Sequence, residues 1–363
     1  MIEKQRLHYL DGLRGIGAVL VMMRHTGDYW EFAFHRSYLA VDIFFLLSGY
    51  VIAFSYEKPL RSGLLTPLDF IKIRLIRLYP TFIVSVVAAA LVMPLATPIE
   101  QLLSSTFWVR WGQSLITTPL LIPDGRHPNE NQFLMNLVYW TLLLELLVNV
   151  LYAYSARWLT NSVLLLIVVL FGLGTAAFAI ANNGLNIGWL AQPFHLFGGS
   201  TRAIFAIVVG IFLFRHRDRL LIISNNMLSG VFALLLIVLI LMSPDFGNAN
   251  AAIDIVSVTI LIPAILLVLV GARLVLWPSA MNYLSAASYP LYLFHVPVTL
   301  LLLMIARVLG APVNAFAPWS GMMMLCLLLP LAEYYERKFD LPFRRRLMAR
   351  YLTKQPERAP VLI

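Results

Sequence analysis

Charge is what this sequence has least of. Only 12% of its 363 residues are charged, 60% are hydrophobic and the mean hydropathy is +0.81, whereas soluble globular chains carry about one-quarter charged residues. An ordinary soluble domain is excluded. Cysteine is nearly missing too: Cys326 stands alone inside an apolar run, so no internal disulfide can form, nothing is learned about redox compartment, and the residue reads as small packing. No two histidines show His-x-x-x-His spacing, which leaves a zinc site unsupported. Neither a Gly-rich phosphate loop nor a Gly-x-Ser-x-Gly elbow occurs. A removable signal peptide is not evident, because Asp11, Arg14 and Arg24 interrupt the first apolar segment and no clear small-residue cleavage site follows it. No internal repeat, low-complexity stretch or second domain stands out.

What is present is apolar runs, each about 20 residues long and so able to cross a bilayer, recurring from end to end. The fold expected is all-α: a polytopic integral membrane protein with about ten transmembrane helices in a single bundle with a polar interior. The helices are predicted near 9–27, 39–56, 78–97, 133–154, 162–182, 194–214, 228–243, 252–271, 283–306 and 317–335. Residues 102–122 are apolar as well, but Arg110, Gln113 and two prolines make a re-entrant or interfacial piece the better reading. Residues 1–340 form the membrane domain and 341–363 a basic cytoplasmic tail, whose Arg344, Arg345, Arg346 and Arg350 are expected on anionic headgroups.

Basic residues exceed acidic ones by 27 to 18, a net charge of +9. With ten spans and an inside N-terminus, 20 of the 27 fall in cytoplasmic segments, while Arg36, Arg110 and Arg126 are external. An excess confined to one side is an orientation signal, so both termini are expected in the cytoplasm and nucleic-acid binding is excluded as a reason for the charge. Apolar stretches such as 162–181 and 228–241 face lipid or a second copy in a homo-oligomer.

Ionisable residues inside a span are costly and are functional candidates by default. Arg14 and His25, eleven residues apart, lie about three turns and roughly 16 Å from each other on one helix face. Asp11 precedes Arg14 by one turn and Asp28 follows His25 by one. The same spacing suits a plain interfacial Asp11–Arg14 pair with His25 capping a loop, and residue types alone leave both open. On the fourth helix Thr141, Glu145 and Asn149 form a polar stripe spaced by four. Glu145, near mid-membrane, needs a cation or a proton, and Arg202 in the sixth helix is the partner expected for it. The ninth helix carries Ser288, Tyr292, His295 and Thr299, with Pro290 and Pro297 freeing backbone carbonyls for neighbours to satisfy.

These residues fall in a recognisable order. Leu10-Asp-Gly-Leu-Arg14-Gly with His25 eleven on, Val41-Asp42-Ile-Phe-Phe-Leu-Leu-Ser48-Gly49-Tyr50, Arg74-Leu-Ile-Arg77-Leu-Tyr-Pro80, Trp140 to Glu145, Ser288-Tyr-Pro-Leu-Tyr292-Leu-Phe-His295 and Asp340-Leu-Pro342-Phe-Arg344 together resemble the motifs of the membrane acyltransferase-3 family. The resemblance covers essentially the whole chain, with Ala40 where a glycine usually precedes Val-Asp.

The resemblance implies an O-acyltransferase, an enzyme of the bacterial cytoplasmic (inner) membrane moving acetyl from cytoplasmic acetyl-coenzyme A to a hydroxyl of a surface or exported polysaccharide or related glycan. No permanently bound cofactor or metal is expected. His25, Arg14, Asp11 and Glu145 become the catalytic candidates, His25 as general base and Asp11 orienting Arg14. Arg14, Arg74, Arg77, Tyr292 and His295 become the donor-binding candidates. Asp42 is a further functional candidate, and Ser48-Gly49 is read as a close-packing site rather than a nucleophile. A translocator of glycans or lipid-linked sugars, acting without acyl transfer, and a membrane scaffold are the alternatives. The scaffold would need larger soluble loops than the 98–132 segment provides.

Overall fold

A computed structural model describes residues 7–32, 34–221 and 226–352; Lys4, Arg6 and the tail beyond 352 lie outside the described residues. Apolar runs without polar alternation fold as helices, because only a helix satisfies every backbone group within one segment in lipid. Of the described residues 79% are helical and none lies in a strand. Fifteen α-helices follow in order among the described residues: α1 (His8–His25), α2 (Ala40–Ser62), α3 (Pro67–Ala96), α4 (Ile99–Leu102), α5 (Ser105–Thr117), α6 (Tyr139–Ser155), α7 (Asn161–Ala181), α8 (Pro193–Arg215), α9 (Arg217–Leu220), α10 (Met227–Met242), α11 (Asn250–Val256), α12 (Ile262–Gly271), α13 (Pro278–Val308), α14 (Trp319–Tyr335) and α15 (Leu341–Tyr351). A π turn, Ser257–Leu261, joins α11 to α12, and another, Glu336–Asp340, joins α14 to α15.

Among the described residues six helical segments are long and apolar enough to cross a membrane: Ser37–Ser62, Pro67–Ala96, Asn161–Ala181, Pro193–Arg215, Gly247–Gly271 and Pro278–Val308. Helices α1, α6, α10 and α14, also expected as spans, run 18, 17, 16 and 17 residues. The 102–122 region contains α5, whose 13 residues reach only about 20 Å, short of a span.

Three helix starts differ from expectation by five residues or more; α13 begins at Pro278 rather than near 283, and the other two bear on the site. Helix α3 begins at Pro67, not near 78, because the Thr66 hydroxyl caps it by accepting from the Asp69 N–H at 3.1 Å and proline suits the first helical position. Arg74 and Arg77, expected in a loop, thus ride on the helix. Helix α6 begins at Tyr139 rather than near 133, since the preceding residues are drawn into loop contacts described below.

Helix α1 packs along α13, α2 along α8, α8 against α7, and α13 also against α3 and α14. The α2–α8 contact is a backbone approach. A Cβ on Gly49 would stand 1.9 Å from the Ile207 carbonyl oxygen, and one on Gly210 2.2 Å from that of Leu46. The expected close-packing role of Gly49 therefore has a named partner.

Several arginines assigned to loops or tail are interior. Arg36, counted as external, is fully buried and donates to Asp254 (3.0 Å), Ser243 (3.0 Å), the Pro244 carbonyl and Asn250. Tyr38 donates to the other oxygen of Asp254 at 2.6 Å. Arg215 holds Glu57 at 2.5 Å and the Leu159 carbonyl at 2.6 Å. Arg344, expected on headgroups, is buried against Glu336 and Asp340. A buried cation without a partner is too costly to keep, so each of these carries its own carboxylate. Part of the basic excess is thus internal pairing and not orientation signal.

Candidate active site

Three cavities stack through the bundle along α1. The first, of about 1280 Å³, opens where α1 begins and is lined by Asp11, Arg14, Arg77, Asn282, Ser285, Tyr289, Glu336, Arg337 and Arg344 among others. The middle one, of about 800 Å³, shares Arg14, Arg77, Glu145 and Tyr289 with the first and adds Phe44, Ser48, Arg74, Thr141 and Tyr292. The last, of about 1160 Å³, lies where α1 ends and is lined by Arg24, His25, Tyr38, Asn131, Trp140, Asn186, Trp189 and Arg202. Val41 and Tyr292 belong to both the middle and the last cavity and form the neck between them. Arg14 and His25 therefore face one polar seam, at opposite ends.

At the histidine end, His25 Nδ1 lies 2.8 Å from His295 Nε2, with the two rings within 9° of parallel. His295 Nδ1 lies 3.1 Å from the Leu291 carbonyl oxygen. A carbonyl only accepts, so His295 Nδ1 carries the hydrogen and neutral His295 presents a lone pair at Nε2. That lone pair accepts from His25 Nδ1–H, which leaves His25 with its own lone pair at Nε2. His295 is fully buried and absent from the middle cavity's wall, whereas His25 is half-buried and lines the last cavity. His295, expected among the donor-binding residues, stands behind His25 in hydrogen-bond contact with it and lines none of the three cavities. Pro297 cannot donate to the Leu293 carbonyl one turn before it; Asn136 does so instead at 3.0 Å, pinning α13 beside His295. Asn136 was not singled out from the sequence, although the carbonyl freed by Pro297 was the signal.

In the middle cavity, Glu145 accepts from Arg74 at 2.5 Å and from Ser48 at 2.7 Å. Arg202 is not its partner: it grips Asp42 with two hydrogen bonds, 3.1 and 2.6 Å, and donates to the Ile187 carbonyl at 2.6 Å. The expectation failed because Arg202 and Asp42 sit on adjacent packed helices, whereas Arg74 rides on the lengthened α3. Asp42, a functional candidate, is thereby the buried counter-ion of Arg202. Ser48 is engaged as a donor to Glu145, and Thr141 bonds Tyr292 at 2.7 Å. Asn149, the third member of the stripe, is buried without a hydrogen-bond partner among the described residues.

Arg14 and Arg77 have no hydrogen bond or ion pair among the described residues, yet both line the first two cavities. Two guanidiniums facing one cavity with no carboxylate bound to either keep their donors available to an anion, while the carboxylates of that wall, Glu145 and Glu336, are held by Arg74 and Arg344. Asp11 accepts from Ser285 at 2.8 Å beside them. Asp28 is exposed in the turn beyond α1, away from His25's cavity wall.

The last cavity is roofed by residues 121–138 and 183–192. Gln132 N–H donates to the Trp189 carbonyl at 2.9 Å, and Ala191 N–H to that of Glu130 at 2.8 Å. Arg110 from α5 clasps Glu130 at 2.9 and 2.7 Å. Partial burial acts to raise the Glu130 carboxyl, but the Arg126 N–H and the Arg110 guanidinium outweigh it and hold the group below the usual range. Among the described residues no three His, Cys, Asp or Glu side chains gather as a metal site.

No solved structure matches the chain. Over 162 residues it is 36% identical to protein 2 in the picA locus of Rhizobium radiobacter, covering 42% of this chain and 83% of that protein. A family model described as an acyltransferase domain matches residues 7–333. That match runs from α1 to all but the last two residues of α14, with every residue that lines the middle and last cavities, and by its extent the chain belongs to the membrane acyltransferase-3 family.

Proposed function

We propose that this membrane acyltransferase transfers acetyl from acetyl-coenzyme A, supplied in the cytoplasm, to a hydroxyl of an exported or surface glycan. The observation that carries the reading is the polar seam. It has two unpartnered guanidiniums toward one end and, toward the other, a histidine whose base nitrogen is left free by a histidine–carbonyl relay.

Coenzyme A is a large polyanion, and arginine suits bidentate phosphate contacts. Arg14 and Arg77 hold its phosphates, so the end where α1 begins faces the cytoplasm, in keeping with the expected orientation of both termini. Arg74, fixed by Glu145, shapes the passage along which the thioester reaches the neck at Tyr292. The acceptor enters the last cavity, where Trp140 and Trp189 offer ring faces and Asn131 and Asn186 offer hydrogen bonds. His25 Nε2 takes the hydroxyl proton as the oxygen attacks the thioester carbonyl. The C–S bond breaks, and the departing thiolate recovers the proton from the imidazolium. Tyr292, turned from Thr141, is the hydroxyl donor at the neck for the developing oxyanion.

The test is transfer of radiolabelled acetyl from acetyl-coenzyme A to glycan in membranes holding equal amounts of wild-type protein, His25→Ala or Arg14→Ala. The wild type labels glycan. His25→Ala loses about 10²- to 10⁴-fold, the span of general-base catalysis, and Arg14→Ala needs more donor to reach the same rate. Undiminished transfer by His25→Ala removes the histidine from the chemistry. Glycan export by a wild type that never labels its cargo points to the translocator, for which the same continuous seam would serve.

A further inference from the structure

A fourth cavity lies outside the seam, on the exposed side of α3 where it meets the π turn Glu336–Asp340 and α15. It is an open groove of about 1960 Å³. Its walls are apolar, with Ile76, Tyr79, Ile83 and Val84 from α3 opposite Phe339 and Phe343. Two cations, Lys338 and Arg346, stand at its rim, and neither has an ion pair among the described residues. The one carboxylate in the wall, Asp340, is buried against Arg344, so the free charge of the groove is positive. Pro80 removes the N–H that would bond the Ile76 carbonyl, which leaves a polar acceptor in a wall that is otherwise hydrocarbon.

We propose that this groove seats one anionic phospholipid, with its acyl chains between α3 and the aromatic side chains of the α14–α15 junction and its phosphate at Lys338 and Arg346. The three elements bring an apolar trough and two exposed cations into one groove, a combination of shape and charge that suits a phospholipid. A flat belt of basic residues would attract anionic lipid without holding a chain. The groove holds a chain. The opposite face of the same elements carries Arg74 and Arg77 on α3 and Arg344 on α15, all at the seam. A lipid wedged in the groove therefore fixes α15 against α3 and sets the width of the cavity where α1 begins. This inference concerns the groove alone and does not depend on which acyl group is moved or onto what.

Native mass spectrometry of the full chain, released from detergent doped equally with phosphatidylglycerol and phosphatidylcholine, tests it with no donor or acceptor present. The wild type retains one phosphatidylglycerol, preferred over phosphatidylcholine about thirty-fold, which is what two interfacial cations supply. The double variant Lys338→Gln/Arg346→Gln loses the preference. Ile83→Trp, which fills the trough without changing charge, loses the bound lipid, while Leu91→Trp, exposed farther along α3 and outside the groove, keeps it. Equal retention of both lipids by the wild type overturns the proposal. So does retention of phosphatidylglycerol by Ile83→Trp at the wild-type level, since that describes diffuse adsorption.

Discussion

At the scale of single residues, the account turns on which nitrogen of His25 is free, and hydrogen-bond direction decides it. Because the Leu291 carbonyl can only accept, His295 must donate to it and must accept from His25. In the proposed mechanism His295 is a positioning residue, and its replacements separate orientation from bulk. His295→Ala removes the acceptor and is expected to lower turnover about 10²-fold, within the range a misplaced base costs, and to move the pH–rate profile. His295→Gln, whose carbonyl oxygen can accept from His25, recovers much of the rate and the profile; equal loss in both variants, with the pH profile unmoved, would assign His295 to packing alone. Sequence reading reached both histidines through their motifs, but not their contact, since 270 residues separate them and no local pattern encodes a meeting across helices. It missed the Arg36–Asp254 pair entirely. Arg36 sits in what reads as a loop, while Asp254, the one carboxylate of the 252–271 run, carries a signal under the rule for ionisable residues in spans. Arg202 was noticed but paired with the wrong carboxylate.

At the scale of elements, the helix pattern was legible and the helix ends were not. Apolar runs mark where helices lie. The start of α3 is written by its cap, Thr66-Pro67, and not by hydropathy, so Arg74 and Arg77 were placed in a loop although they face the seam. Close packing of α2 on α8 makes a sharp prediction. Gly49→Ala, which puts a Cβ 1.9 Å from the Ile207 carbonyl, is expected to destabilise by about 1–3 kcal/mol as an overpacked contact. Gly112→Ala, on α5 with nothing within 4 Å, is expected to be neutral or to stabilise by up to about 1 kcal/mol. Thermal unfolding of both in one detergent checks the pair, and equal melting temperatures would contradict the packing. The roof over the last cavity makes a second prediction. Glu130 is held below the ordinary carboxyl value by Arg126 N–H and Arg110, so its contribution is complete above that ordinary value, about 4.3, and is lost as pH falls through the depressed one. Amide exchange in 121–138, corrected for intrinsic rate, should rise on acidification over that window. Glu130→Gln should show the raised exchange already at neutral pH; a pH-independent, wild-type-like pattern in the variant would show that the clasp does not hold the roof.

At the scale of the whole molecule, what matters is that three cavities share walls, so that the chemistry proposed at the neck can be fed from two sides. The membrane character and the family followed from composition and motif order. The stacking did not, because it depends on how α1, α2, α3, α6, α8 and α13 pack around one line, and each helix alone shows only a polar stripe. Sidedness is the central claim, and one measurement addresses it directly. Inverted, sealed membrane vesicles expose the cytoplasmic face, and labelled acetyl-coenzyme A, which does not cross a bilayer, is added outside. Labelled glycan is expected inside the lumen, protected from added glycan hydrolase until detergent opens the vesicles, and right-side-out vesicles given the same donor should stay unlabelled. Product confined to the outer, hydrolase-sensitive face of inverted vesicles, or labelling of right-side-out vesicles by external donor, would contradict a donor held at Arg14 and Arg77 and an acceptor met at His25 from opposite sides.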